Sequence, residues 1–142
     1  MKNNWCIFLF SFLPFLAFSQ QGPTITCLDA DENGDVTIYW LPPDEPAGLK
    51  AYEIFYDDGP GFNSVGNVSA EELSFTHIGA EANNQSQKYR VYAVYQDVSV
   101  PSEILQTIFL QVGISTDLDE ATLYWNPPEN PLPEGSNDLY YI

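Results

Sequence analysis

Apolar and polar residues alternate with period two along most of the chain. In DVTIYWLPP, Val36, Ile38 and Trp40 fall on one side and Thr37 and Tyr39 on the other. That spacing marks a strand half-buried in a sheet. Pro42 and Pro43 end it, because proline has no amide to donate to the ladder. The alternation resumes in LKAYEIFY through Tyr52, Ile54 and Tyr56, turns at Asp58-Gly59 and returns in GFNSVGNV. LSFTHI, Leu73 to Ile78, is a further short strand. After the polar stretch GAEANNQSQ, the segment KYRVYAVYQ puts Tyr89, Val91, Ala93 and Tyr95 on one face, and VPSEILQTIFL closes the unit near Leu110. Seven short strands with turn signals between them, and no helical periodicity, predict an all-β, seven-stranded, immunoglobulin-like sandwich.

The pattern then starts again. VTIYWLPPDEP, Val36 to Pro46, returns as ATLYWNPPENP, Ala121 to Pro131, a shift of 85 residues with six of eleven positions identical. A period of this length fits autonomous domains in tandem rather than a solenoid. The expected division is residues 1–19, 22–111 and 112–142, the last an incomplete second copy holding two strands and the start of a third. Two or three strands do not make a sandwich, and their open edge is an aggregation hazard. The chain is therefore expected to be the N-terminal piece of a longer protein or the product of a truncated gene.

The unit resembles a fibronectin type III domain. The residues that carry the resemblance are V-x-I-x-W-x-P-P in the second strand (Val36, Ile38, Trp40), Y-x-I-x-Y in the third (Tyr52, Ile54, Tyr56), and Y-x-V-x-A-V in the sixth (Tyr89, Val91, Ala93), followed by S-x-P-S-E. The resemblance covers roughly 22–111 and restarts in the remainder. It implies that Trp40 and Tyr89 are core residues. The family usually has a leucine and a proline just before that tyrosine, where this chain has EANNQSQ, so the corner is expected to be looser or built differently. The acidic repeats with a leader are also similar to large surface proteins of gliding bacteria of the Bacteroidetes type.

The N-terminus bears on location. Lys2 precedes an apolar run from Ile7 to Phe18, broken only by Ser11 and Pro14, and Ala17-Phe18-Ser19 offers small residues for cleavage. This is the anatomy of a secretory signal peptide, residues 1–19, and the run is short of the ~20 apolar residues of a membrane span. Beyond it lie three basic residues, Lys50, Lys88 and Arg90, against 20 acidic ones, a formal charge of −17. Such a surface repels phosphate backbones and anionic bilayers, so no nucleic acid and no membrane insertion after cleavage are expected. With 44% hydrophobic and 15% aromatic residues, the chain is too apolar for a disordered tail. Cys27 is the one cysteine left after cleavage, and burial as a small hydrophobe is the expectation for it.

Candidate chemistry is sparse. DADENGD, Asp29 to Asp35, matches the first half of a helix-loop-helix calcium loop, but the twelfth position, which needs a bidentate carboxylate, is Trp40. A turn explains the same residues, with Asn33 and Gly34 as the pair that takes positive φ. A looser cation site, completed by carbonyls and water, is the alternative. His77 is expected at a sheet edge or surface rather than as a base. Asp57-Asp58 and Glu71-Glu72 read as solvated turns. No catalytic, cofactor or metal residues are assigned. On the register that the resemblance implies, Phe55 and Tyr92 project from the outer face of one sheet, where they pack across strands or receive a protein or cell-surface glycan. Asn67-Val68-Ser69 and Asn84-Gln85-Ser86 are glycosylation sequons. The expected function is a non-enzymatic extracellular spacer or adhesion module attached to further domains of the same polypeptide. The alternative is an accessory region of a secreted hydrolase whose catalytic domain lies beyond residue 142.

Overall fold

The computed structural model describes residues 20–57, 59–114 and 120–127. The signal-peptide segment 1–19, Asp58, and 128–142 with the expected start of a third strand lie outside the described residues. Ten strands run antiparallel. They are β1 (Thr24–Ala30), β2 (Val36–Leu41), β3 (Ala51–Asp57), β4 (Phe62–Ser69), β5 (Ser74–His77), β6 (Lys88–Val94), β7 (Ser99–Pro101), β8 (Leu105–Gln106), β9 (Leu110–Ile114) and β10 (Ala121–Trp125). One sheet has the order β1-β2-β5. The other has the order β4-β3-β6-β7, with β8 also pairing β6. The two sheets enclose one core, an all-β sandwich as the alternation predicts.

The core follows that alternation residue by residue. Val36, Ile38 and Trp40 from β2 meet Tyr52 and Ile54 from β3 and Tyr89, Val91 and Ala93 from β6, all of them buried. The Trp40 and Tyr52 rings touch edge to face across the sheets, with centroids 5.2 Å apart, the geometry the ring quadrupoles favour. Gly66 of β4 lets Phe75 of β5 close the gap between the sheets, since a Cβ on Gly66 would sit 2.4 Å from the Phe75 ring.

The last strand of the unit is split in two. β7 pairs with Tyr92–Val94 and β8 with Lys88–Tyr89. Pro101 cannot donate to the ladder at that point, and Ser102 replaces the regular pairing. Its backbone N–H donates to the Val91 carbonyl (2.8 Å), and its Oγ accepts from the Val91 N–H (3.0 Å). The corner before β6 is also built differently from the family pattern. Ala80 and Ala82 are buried there, and the Ala82 N–H donates to the Gly34 carbonyl.

The β9–β10 hairpin repeats the pattern of β1–β2, and among the described residues no second sheet covers it. Its register pairs Ala121 with Ile114, Leu123 with Val112 and Trp125 with Leu110, so these six share one face. Ile38 and Trp40 are 0% and 2% exposed, whereas their counterparts Leu123 and Trp125 are 37% and 39% exposed. The same apolar pattern therefore carries opposite burial in the two copies. Truncating Ile54 to Ala is expected to cost about 2–5 kcal/mol in denaturant unfolding, whereas Leu123→Ala should stay within about 0.5 kcal/mol. Equal losses at both positions would mean that the hairpin face is covered.

Candidate functional site

DADENGD folds as a turn organised by Asp31. The Asp31 N–H donates to the Asp35 carbonyl and the Gly34 N–H to the Asp31 carbonyl, both at 3.0 Å. Gly34 takes φ +84°, whereas Asn33 does not take positive φ. This corrects the expected two-residue turn. A three-residue loop with a left-handed glycine closing a bulge needs positive φ only once. Asp31 Oδ1 accepts from the N–H of Asn33 (2.9 Å) and of Asp35 (3.0 Å), and its Oδ2 accepts from Asn33 Nδ2 (3.3 Å). Desolvation acts upward on the Asp31 carboxyl, but the hydrogen bonds from Asp35, Asn33 and Gly34 outweigh it and hold the carboxyl below its ordinary value of 3.8. Strands, not helices, flank the loop, and both oxygens of Asp31 are engaged within it. Among the described residues, no group of three or more His, Cys, Asp or Glu side chains is placed to hold a metal ion.

The hairpin tip is also a clamp. Asp35 Oδ1 accepts from the Gly79 N–H (2.6 Å), and the Gly34 carbonyl accepts from the Ala82 N–H (3.0 Å). A Cβ on Gly34 would lie 2.6 Å from Asn83 Oδ1. The acidic stretch thus holds the corner that leads into β6.

His77 lies on β5, at the edge of its sheet as expected, but its ring turns inward and is half-buried. Its Nδ1 shares a 2.9 Å hydrogen bond with the Tyr89 hydroxyl, and its ring stacks 5.0 Å from Tyr56. No nucleophile joins this group among the described residues, and the arrangement is one of packing. Desolvation lowers the His77 pKa from 6.5, with Asp35 acting in the opposite direction, and burial raises that of Tyr89.

Cys27 is exposed, contrary to the expectation of burial. The register of β1 slips between Ile25, opposite Trp40, and Cys27, opposite Tyr39. The extra residue, Thr26, shifts the inward positions from 25 and 27 to 25 and 28, so Leu28 packs on the core and Cys27 faces solvent.

Phe55 and Tyr92 lie on the outer face of the larger sheet, half-buried against one another with ring centroids 4.8 Å apart. Arg90 of β6 covers the ring of Phe62 of β4 at 5.2 Å, across the intervening β3 of the same sheet. This is cross-strand packing. Asp57 Oδ1 accepts from the Gly59 N–H (3.0 Å) at the β3–β4 turn, and Glu71 and Glu72 are exposed in the loop after β4.

One polar pin escaped the sequence reading although its signal was there. Asn126 stands where the first copy has Leu41, in W-N-P-P against W-L-P-P. Its Oδ1 accepts from the Phe109 N–H (2.6 Å), and its Nδ2 donates to the Thr107 carbonyl (3.0 Å). Gln106 Nε2 donates to the Pro127 carbonyl (2.9 Å) beside it. These bonds fix the second hairpin to the end of the first unit.

The strand order and the facing sheets define an all-β, two-sheet sandwich module. No family model and no curated protein matches the chain. Among solved structures, pectate lyase Pel3 from Pectobacterium carotovorum is similar in fold, with TM-score 0.52 and 14% identity over 67% of this chain. The chain corresponds to only 28% of that enzyme. An Fn3-like protein from Clostridium thermocellum aligns with TM-score 0.49 and 18% identity, over 60% of this chain and 88% of its own.

The lowered pKa of His77 means that the native state binds fewer protons than the unfolded chain. Its contribution to stability is complete above about pH 6.5 and is lost as pH falls toward the lowered value. Unfolding free energy should therefore drop between about pH 7 and 5, and His77→Phe should flatten that step. An unchanged slope in the variant would remove His77 as its source. Cys27 should react with a maleimide in the native protein within about tenfold of the rate of a free thiol, and protection beyond that would restore the buried reading.

Proposed function

We propose that this chain is a non-enzymatic extracellular module, a spacer or adhesion unit of a larger surface protein of the kind found in gliding bacteria. The observation that carries the reading is the junction at Thr107–Phe109. A complete sandwich is followed after three residues by a hairpin that repeats its first strands, and Asn126 and Gln106 bind the two together. Inter-domain connections are ordinarily flexible linkers, whereas a short hydrogen-bonded junction transmits orientation from one module to the next, which is what a spacer requires. The N-terminal signal pattern and the acidic surface support export to an aqueous exterior.

A second reading is an accessory region of a secreted hydrolase. It is favoured by the occurrence of a similar fold as a part of the much longer pectate lyase chain.

An antibody against residues 20–111, used on fractionated cells and medium of the native source, tests the proposal. The expected band lies on the cell surface and runs several times larger than the 15.9 kDa of this chain. A cytoplasmic band would overturn the proposal. Hydrolytic activity in the immunopurified protein would select the second reading.

A further inference from the structure

Two clefts meet at Ser86, where the loop before β6 approaches the β9–β10 hairpin. The first, about 270 Å³, is lined by Ser86, Phe109, Gln111, Tyr124, Trp125 and Asn126. The second, about 220 Å³, is lined by Tyr56, Asp57, Gln85, Gln87 and Lys88 together with Ser86. Each alone is smaller than the ~300–1,000 Å³ of sites that enclose a whole small molecule, a size that suits an open site contacting one or two sugar rings. We propose that this groove is a binding site for a neutral oligosaccharide.

The side chains set the ligand class. A pyranose presents C–H faces that pack on aromatic rings and a rim of hydroxyls that both donate and accept. Tyr124, 60% exposed, and Phe109 supply aromatic surface, and Gln111 and Gln85 supply amides, each with donors and an acceptor. Asn126 is already fixed by its bonds to Phe109 and Thr107, so the wall it forms is rigid.

Gln87 adds a second, independent observation. Its side chain is 1% exposed, and its Nε2 has no hydrogen-bond partner among the described residues. Its backbone is locked: the N–H donates to Thr107 Oγ1 (2.8 Å) and the carbonyl accepts from the Thr107 N–H (2.9 Å). A buried amide donor left without a partner costs free energy; the Nε2 is closed off from solvent, and a ligand hydroxyl meets it only when the side chain turns into the cleft that Gln87 lines.

Charge selects against the alternatives. Asp57 and Lys88 face each other as the last register pair of β3 and β6, so the carboxylate and the ammonium offset locally. The chain as a whole is strongly acidic, which disfavours uronates, sialosides and nucleotides. The groove involves neither Phe55 nor Tyr92, and the proposal stands whether or not the module is a spacer.

The test is calorimetry and tryptophan fluorescence on the full chain with cello-, manno-, xylo- and malto-hexaose, and with an oligogalacturonate as the anionic probe. At least one neutral hexaose is expected to saturate with Kd of ~0.1–1 mM. Tyr124→Ala and Gln111→Ala, both at exposed side chains, should each weaken it about tenfold or more. Tyr92→Ser, on the outer face of the larger sheet and outside the lining of both clefts, should leave it unchanged. Melting curves on each variant separate lost binding from lost fold, and Gln111→Ala decides if Tyr124→Ala unfolds the hairpin. Failure of every neutral probe to saturate by ~10 mM, binding of the anionic probe alone, or equal weakening by Tyr92→Ser would overturn the proposal.

Discussion

An antiparallel sheet with one apolar face is stable only when that face is covered. In the first copy, β2 presents Val36, Ile38 and Trp40, and β3 and β6 cover them with Tyr52, Ile54, Tyr89 and Val91 until almost nothing of them is exposed. In the second, β9 and β10 assemble the same kind of face from Ile114, Val112, Leu110, Leu123 and Trp125, and it stays in contact with solvent. Everything else distinctive about the molecule follows from that asymmetry. One half is a finished module and the other is an exposed apolar surface held at a defined place.

What holds it there is polar rather than apolar. Side chains at strand ends repair breaks in the ladders and tie neighbouring segments together. Asp31 and Asp35 brace the β1–β2 tip against the loop at Gly79–Ala82. Ser102 replaces the pairing that Pro101 interrupts. Asn126 and Gln106 fasten the second hairpin. The first and last of these lie near ends of the sheets and Ser102 lies opposite the middle of β6, and each supplies a partner to backbone amides or carbonyls that regular pairing leaves open. Such bonds also create the clefts around Ser86, because two segments pinned at a few points leave space between the pins.

The sandwich was legible in the sequence because its strands follow a strict period of two. Trp40 and Tyr89 sit where the alternation and the family resemblance place them. The candidate sites were less legible. The alternation through β1 puts Cys27 on the inner face, and a single bulge at Thr26 reverses it, a step that local composition does not announce. Asn33-Gly34 marked a turn but not its type, which depends on the length of loop that the two strands leave between them. His77 carried no sign of its Tyr89 partner, which lies twelve residues away on the other sheet. The groove residues Gln87, Gln111 and Tyr124 come from three separate segments and have no shared motif.

By itself, the sequence determined the all-β class, the return of the 36–46 pattern at 121–131, and the inward or outward side of the residues of β2, β3 and β6. These depend on the period of the backbone and on the transfer of apolar side chains out of water, and both are local properties of the chain. Tertiary structure decided which apolar face is covered, where the register slips, which carboxylates are engaged in turns, and which polar side chains meet across a cleft. These are relations between residues distant in the chain, fixed only when the sheets stack and their ends are joined.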